Sequence, residues 1–175
     1  MTITTSIATT IATAAAALAL AAAGAVAGPA APAHAQPAQC TNSDLTASYH
    51  SRGAGAGHRY GVIALTNTSR TTCFVQGYGG LSYVGHGDGT QIGAAADRDA
   101  ARAPRIVLRP GQRAASEVSE SVAGVYPRRT CRPVRVDGFR VYVPDSTVSQ
   151  YVVHRTTGCA ARRVHLLAHQ PYHRA

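Results

Sequence analysis

Tryptophan and lysine are absent from the 175 residues, methionine occurs once, phenylalanine twice, and eight acidic side chains face seventeen arginines. Each shortage removes a possibility. Without tryptophan, the cysteine, tryptophan, cysteine core of true immunoglobulin domains cannot be assembled. The one methionine is Met1, so a methionine-type copper site is out of reach. Glu117 and Glu120 are the only glutamates, and both fall in a predicted strand or its exit, which leaves no carboxylate pair set up for glycoside hydrolysis. No serine stands in a Gly-x-Ser-x-Gly elbow; Ser82, in Gly80-Leu81-Ser82-Tyr83-Val84, lacks the second glycine. With no odd cysteine left as a nucleophile, the expectation is a protein that is not an enzyme and carries no cofactor.

Neither lysine nor arginine precedes Arg52. Residues 1–35 nonetheless read as an export signal: an Ala/Thr/Leu-rich run from Ile11 to Ala27, a break at Gly28-Pro29, and the small-residue site Ala33-His34-Ala35, with cleavage expected before Gln36. Its only positive charge is then the α-amino group. A retained membrane anchor is the competing reading, disfavoured by the Gly/Pro interruption; a lipid-modified Cys40 is disfavoured by the bulky Gln39 before it. The mature form should carry no transmembrane span and be secreted or cell-wall associated, with a leader over 36–39, a single domain over 40–170 and a tail over 171–175.

What is present points to β-structure. Leu45, Ala47 and Tyr49 alternate with polar neighbours. Arg52 to Gly57 carries too much glycine for anything but a flexible turn. A strand from Arg59 to Thr66 runs into the polar turn Asn67-Thr68-Ser69, a second strand starting at Cys73, and the corner Gly77-Tyr78-Gly79-Gly80. Further strands are predicted at Leu81 to Val84, Gln91 to Ala95, around Ile106 and Leu108, at Gln112 to Val118, at Phe139 to Val143, at Tyr151 to His154 and at Arg163 to Ala168. Thr157-Gly158-Cys159 is read as separating the last two. Eight to ten short strands with regular turn signals and no convincing helix make an all-β, immunoglobulin-like β-sandwich of Greek-key type, immunoglobulin-like in architecture only.

The combination Leu65-Thr66-Asn67-Thr68-Ser69, Thr72-Cys73, Gly77-Tyr78-Gly79-Gly80-Leu81, Cys131-Arg132-Pro133-Val134 and Asp137-Gly138-Phe139-Arg140-Val141 resembles an exported actinobacterial family, domain of unknown function 4232, from about Cys40 to Leu167. Gly79 departs from it, standing where the family often has proline, and is expected to loosen the corner. The resemblance implies a secreted or envelope-attached β-sandwich and brings no catalytic residues.

Cys40, Cys73, Cys131 and Cys159 fit an exported protein with two disulfides. Of three pairings, the sequential one, Cys40 with Cys73 and Cys131 with Cys159, ties each early strand to a near neighbour. The rival, Cys73 with Cys131, would mimic an immunoglobulin cross-sheet bond and leave Cys40 to reach Cys159.

The net charge of +9 attracts anionic partners without choosing among them, and arginine without lysine beside abundant Ala and Gly also points to a GC-rich coding habit. Arg128, Arg129, Arg132 and Arg135 cluster beside Cys131, and guanidinium forks suit phosphate and carboxylate oxygens. They are the candidate anion-binding residues. The expected partner is an anionic envelope polymer or another extracellular protein; nucleic acid is disfavoured by export and by the lack of a recognition motif. His165, His169 and His173 are spaced four apart, but Pro171 interrupts any helix that would gather them into a metal site, and exposed tail histidines are the plainer reading. His86-Gly87-Asp88-Gly89 offers one carboxylate, too few for calcium. Asn67-Thr68-Ser69 matches a glycosylation sequon but serves more simply as a turn. The function expected is therefore a non-catalytic binding or structural module. The alternatives are a protein-binding or inhibitor module presenting the loop Gly124 to Pro133, and an undetected hydrolase.

Overall fold

Alternation of apolar and polar residues, broken by Gly, Pro and Asx turns, sets out twelve strands among the residues that the structure, a computed structural model, describes: 36–175. The export-signal reading concerns residues 1–35, which lie outside them. In chain order the strands are β1 Leu45–Gly55, β2 His58–Asn67, β3 Cys73–Val75, β4 Gly80–Gly85, β5 Thr90–Ala95, β6 Asp97–Arg98, β7 Ile106–Leu108, β8 Arg113–Ser121, β9 Pro133–Tyr142, β10 Ser149–Cys159, β11 Leu167–His169 and β12 His173–Arg174. A 3₁₀ turn at Ala123–Val125 and one helical turn, α1 Arg128–Cys131, lie between β8 and β9.

Two sheets form an all-β sandwich. The first runs β1-β2-β8-β11-β6 with β12 also on β8; the second runs β10-β9-β4-β5; β3 and β7 make a separate antiparallel pair. Inward residues of β2 (Ile63, Leu65) and β8 (Ala114, Val118) share one core with those of β4 (Leu81, Tyr83) and β9 (Phe139, Val141). Burying a side chain of that size contributes about 1.5–3 kcal/mol, which is why the two-residue period decides which face turns inward. Disulfides join Cys40 to Cys73 and Cys131 to Cys159, the sequential pairing.

Several local expectations are corrected. The count exceeds eight to ten because two-residue pieces, β6 on β11 and β12 on β8, add to the longer strands. The glycine-rich stretch is not a loose turn: β1 continues to Gly55, and only Ala56 and Gly57, both at positive φ (49° and 79°), make the reversal, a two-residue hairpin geometry that matches strand twist. Thr157-Gly158-Cys159 does not separate strands but ends β10, paired with Arg135, Val134 and Pro133. The strand expected over Arg163 to Ala168 is replaced by β11, paired to β8 through Leu167, Ala168 and His169.

Neither chain end of the domain hangs free. The Phe74 amide donates to Ala38 O (2.9 Å), and Arg105 holds Gln36 Oε1 (2.7 Å) and Pro37 O (3.0 Å), so the leader is docked. The expected tail re-enters the fold: Pro171 lacks the amide to continue β11, Tyr172 then plunges into the core at 2% exposure, and β12 resumes pairing on β8. Tyr172 lies under Gly79, where a Cβ would overlap the Tyr142 carbonyl and sit 3.2 Å from Tyr172 Cε2. Glycine at 79 therefore admits a close approach of β9 and the C-terminal segment instead of loosening the corner.

The turn after β2 is organised by Asn67, which is wholly buried. Its Nδ2 donates to Thr71 O (2.8 Å) and Leu108 O (2.9 Å), while Oδ1 accepts from the Ser69 amide (3.0 Å) and Ser69 Oγ (2.8 Å). With every hydrogen-bonding position filled, this amide is closed to glycosylation in the folded protein. Replacing Asn67 by Ala should lower stability by about 2–3 kcal/mol, since buried carbonyls and an amide lose their partners. Urea unfolding of both proteins measures it, and a loss within error of zero would contradict the assignment.

Candidate functional site

Alternation along β8 sends Ala114, Ser116, Val118 and Glu120 to the same inward face. A carboxylate thus enters the space between the sheets, fully buried. Three side chains from three strands meet it: Tyr49 of β1 donates to Oε1 (2.9 Å), while Tyr83 of β4 (2.5 Å) and His154 Nε2 of β10 (2.9 Å) donate to Oε2. Phe139 stacks on His154 at 4.4 Å between ring centroids and on Tyr83 at 5.5 Å, and Tyr49 packs edge-on to His154 at 4.7 Å. Gly61 makes room, because a Cβ there would overlap the Tyr49 ring. Arg59, the register partner of Glu120 on β2, reaches across to Thr156 Oγ1 of β10 (2.8 Å).

The electrostatics agree with the geometry. Burial works against the charge of Glu120, but the hydrogen bonds from His154 and Tyr83 outweigh it, and the carboxyl sits below the usual carboxylate range. Burial first, and then the negative charge of Glu120, push the Tyr49 and Tyr83 hydroxyls up, so both stay protonated donors. Both carboxylate oxygens are engaged and Glu120 itself is fully buried, which makes this cluster a cross-sheet tie.

Directly beyond it lies the arginine end. His154 and Thr156 point inward from β10, while Arg155 and Thr157 are exposed, and Arg135 pairs with Thr157 across to β9. Pro127 opens the single turn α1, and Arg132 closes it in the left-handed region (φ 52°), its amide donating to Arg128 O (2.8 Å). A side chain held in that conformation costs about 1–2 kcal/mol, a place usually given to Gly or Asn. Cys131 is wholly buried in its disulfide to Cys159, while Arg128, Arg129, Arg132 and Arg135 are all exposed. The structure thus keeps the four predicted arginines on one braced segment.

It also adds two that the sequence order had hidden. The Ala160 amide donates to Arg132 O (3.0 Å) and the Ala161 amide to Cys131 O (3.2 Å), so the segment after β10 is laid against α1 and carries exposed Arg162 and Arg163 with it. The nearest acid along these strands is Asp137, whose Oδ1 is 3.8 Å from Arg135 Nε, a long and exposed pair, and whose Oδ2 accepts from the Gly87 amide (2.9 Å).

The three tail histidines are not gathered. His165 pairs with Asp97 on the surface (2.7 Å) and His173 lies 3.7 Å from Glu117. His169, expected to be exposed, is buried at 4% exposure beside Ser116 Oγ (3.3 Å) and the edge of Tyr78. Among the described residues no three potential ligands cluster for a metal ion. His86-Gly87-Asp88-Gly89 is the β4–β5 turn, with Asp88 Oδ1 accepting from the Thr90 amide (2.9 Å).

Sequence reasoning missed the Glu120 cluster, although the alternation of β8 put Glu120 in step with Ala114 and Val118; the signal was one acidic residue on an otherwise apolar face.

Two predictions follow from these groups. Glu120→Gln should destabilise by about 2–4 kcal/mol, because a neutral amide replaces charge-assisted acceptors and leaves an NH₂ facing donors, while Tyr49→Phe should cost about 1 kcal/mol; equal effects in chemical unfolding would contradict the charged tie. His169 titrates near 4 through burial first and the neighbouring Arg98 second, against 6.5 when unfolded. Its pKa is lowered on folding, so protons bind the unfolded state first, and stability should fall as pH drops from 6.5 to about 4, by about 3 kcal/mol. His169→Gln should flatten that part of the stability profile; an unchanged slope would refute the assignment.

No curated protein and no solved structure matches the chain. Residues 40–171, nearly the whole of the described domain, match the family model described as domain of unknown function (DUF4232), and the chain belongs to that family.

Proposed function

We propose that the chain is an exported, non-catalytic binding module of the cell envelope or the extracellular space, and that its arginine end takes an anionic envelope polymer. Two disulfides support the exported half of the reading, since such bonds persist in oxidising compartments. No helix among the described residues is long and apolar enough to cross a membrane. The observation that carries the binding half is the joining of Arg128, Arg129, Arg132 and Arg135 to Arg162 and Arg163 by the Cys131–Cys159 bond and two backbone hydrogen bonds, beside a single, already engaged carboxylate. Guanidinium groups fixed on a braced surface lose less freedom when they meet phosphate or carboxylate oxygens than the same groups on a mobile loop.

Exposed contacts of this kind are individually weak and screened beyond about 8 Å at physiological salt. Binding is therefore collective. Replacing Arg128, Arg129, Arg132 and Arg135 with Gln should cut retention on purified anionic wall polymer at least tenfold at low salt, and Arg162→Gln with Arg163→Gln should cut it further; moderate salt should weaken the unmodified protein steeply. Circular dichroism confirms that the fold is intact, and the intact mass of secreted protein should begin at Gln36. Equal retention by all variants, or retention indifferent to salt, would make the arginines a solvated surface and leave the loop Gly124 to Pro133, with its exposed Val125, as a protein-docking element.

A further inference from the structure

The outer face of the first sheet carries a cleft of about 400 Å³, nearer the Arg113 end of β8 than the Glu120 end. Strand register builds it. Across β1, β2, β8 and β12, Ser48 pairs with Ala64, Ala64 with Ala115, and Ala115 with His173, so this row is small in its middle. In the next row His50 pairs with Val62, and Val62 with Glu117. Val62, Ala64 and Ala115 are one residue out of step with the core-facing Ile63, Leu65 and Ala114, so they point away from the core. They are only 3%, 4% and 5% exposed, and none of them belongs to the inter-sheet core.

Around that apolar floor stand cations. Arg52 of β1, Arg113 of β8 and Arg174 of β12 line the cleft with His50. Among the described residues these three guanidinium groups, like most of the exposed arginines, make no ion pair or side-chain hydrogen bond and are free to meet an anion. Glu117 is the one acidic side chain in the lining, and it faces His173 at 3.7 Å.

We infer that this cleft binds a small organic oxyanion, a phosphate or carboxylate group held by Arg113, Arg174 and Arg52, on a compact apolar body lying over Val62, Ala64 and Ala115. Free guanidinium forks match the two acceptor oxygens such a group presents. The apolar floor discriminates against a bare inorganic ion, and the volume falls in the range of small-molecule sites. The site is separate from the arginine end and shares no residue with it.

Methyl-resolved NMR titration of the protein with phenyl phosphate, benzoate, benzyl alcohol and inorganic phosphate tests this. Phenyl phosphate or benzoate should give saturable shifts of the Val62, Ala64 and Ala115 methyls, the stronger of the two naming the oxyanion, and benzyl alcohol and inorganic phosphate should bind at least tenfold more weakly. Arg113→Gln with Arg174→Gln should weaken the better probe tenfold or more. Ala64→Leu, which keeps every charge but fills the floor, should do the same. Gln at Arg128, Arg129, Arg132 and Arg135 should change nothing, which separates this site from the envelope-polymer reading. No saturable shift with either oxyanion, or affinity unaltered in both the charge and the steric variants, would overturn the inference.

Discussion

A carboxylate placed between two sheets needs donors, and Glu120 draws them from β1, β4 and β10 at once. Moving such a charge out of water costs several kcal/mol unless its lone pairs are filled, so any alignment of the sheets that separated it from Tyr49, Tyr83 or His154 would be penalised. Apolar contacts alone are more permissive, since Ile63 or Val141 would tolerate a small slide against a different neighbour. The stack of Phe139, His154 and Tyr83 fills the volume around the charge, and Arg59 bridges the same two sheets to Thr156. The disposition of β9 and β10, and hence of the arginine end they carry, depends on this contact.

The positive surface has a structural origin as well as a compositional one. Most of the few acids are already engaged by hydrogen bonds: Asp44 accepts from the Thr41 amide and hydroxyl, Asp88 closes a hairpin, Asp137 takes the Gly87 amide, Asp145 accepts from Gln39, and Glu120 is internal. Hydrogen bonding lowers the Asp44 and Asp88 pKa values further and keeps them charged where they brace turns. Acids used this way cannot follow the arginines around the surface. Two basic regions result, one on the Cys131–Cys159 end and one on the outer face of the first sheet, and they differ in setting: a disulfide-braced exposed segment in the first case, a cleft with an apolar floor in the second.

The disulfides act on different parts of the chain. Cys40–Cys73 fastens the segment before β1 to the start of β3, and Cys131–Cys159 joins α1 to the end of β10. Closing loops of 33 and 28 positions removes freedom from the unfolded chain worth on the order of 3–4 kcal/mol each in the chain-entropy model. The second bond also holds a left-handed Arg132 that the isolated turn would not favour.

Composition, period-two alternation, turn chemistry and cysteine spacing determined the all-β class, the sandwich, the position of most strands, and the sequential pairing as the expected one, because these are local properties that each segment carries with it. Tertiary structure decided what depends on distant partners. Asn67 is legible as a turn residue, yet its burial comes from Leu108 O arriving from β7. Pro171 reads as a terminator, yet Tyr172 and β12 continue the fold because β8 offers free edge positions at Ala114 and Ala115. Arg162 and Arg163 lie thirty and more positions after Arg128, and Arg52 lies far from Arg174; only the register of antiparallel strands brings either set to one surface. Register is fixed by burying one face of every strand at once, a cooperative choice that no single segment encodes.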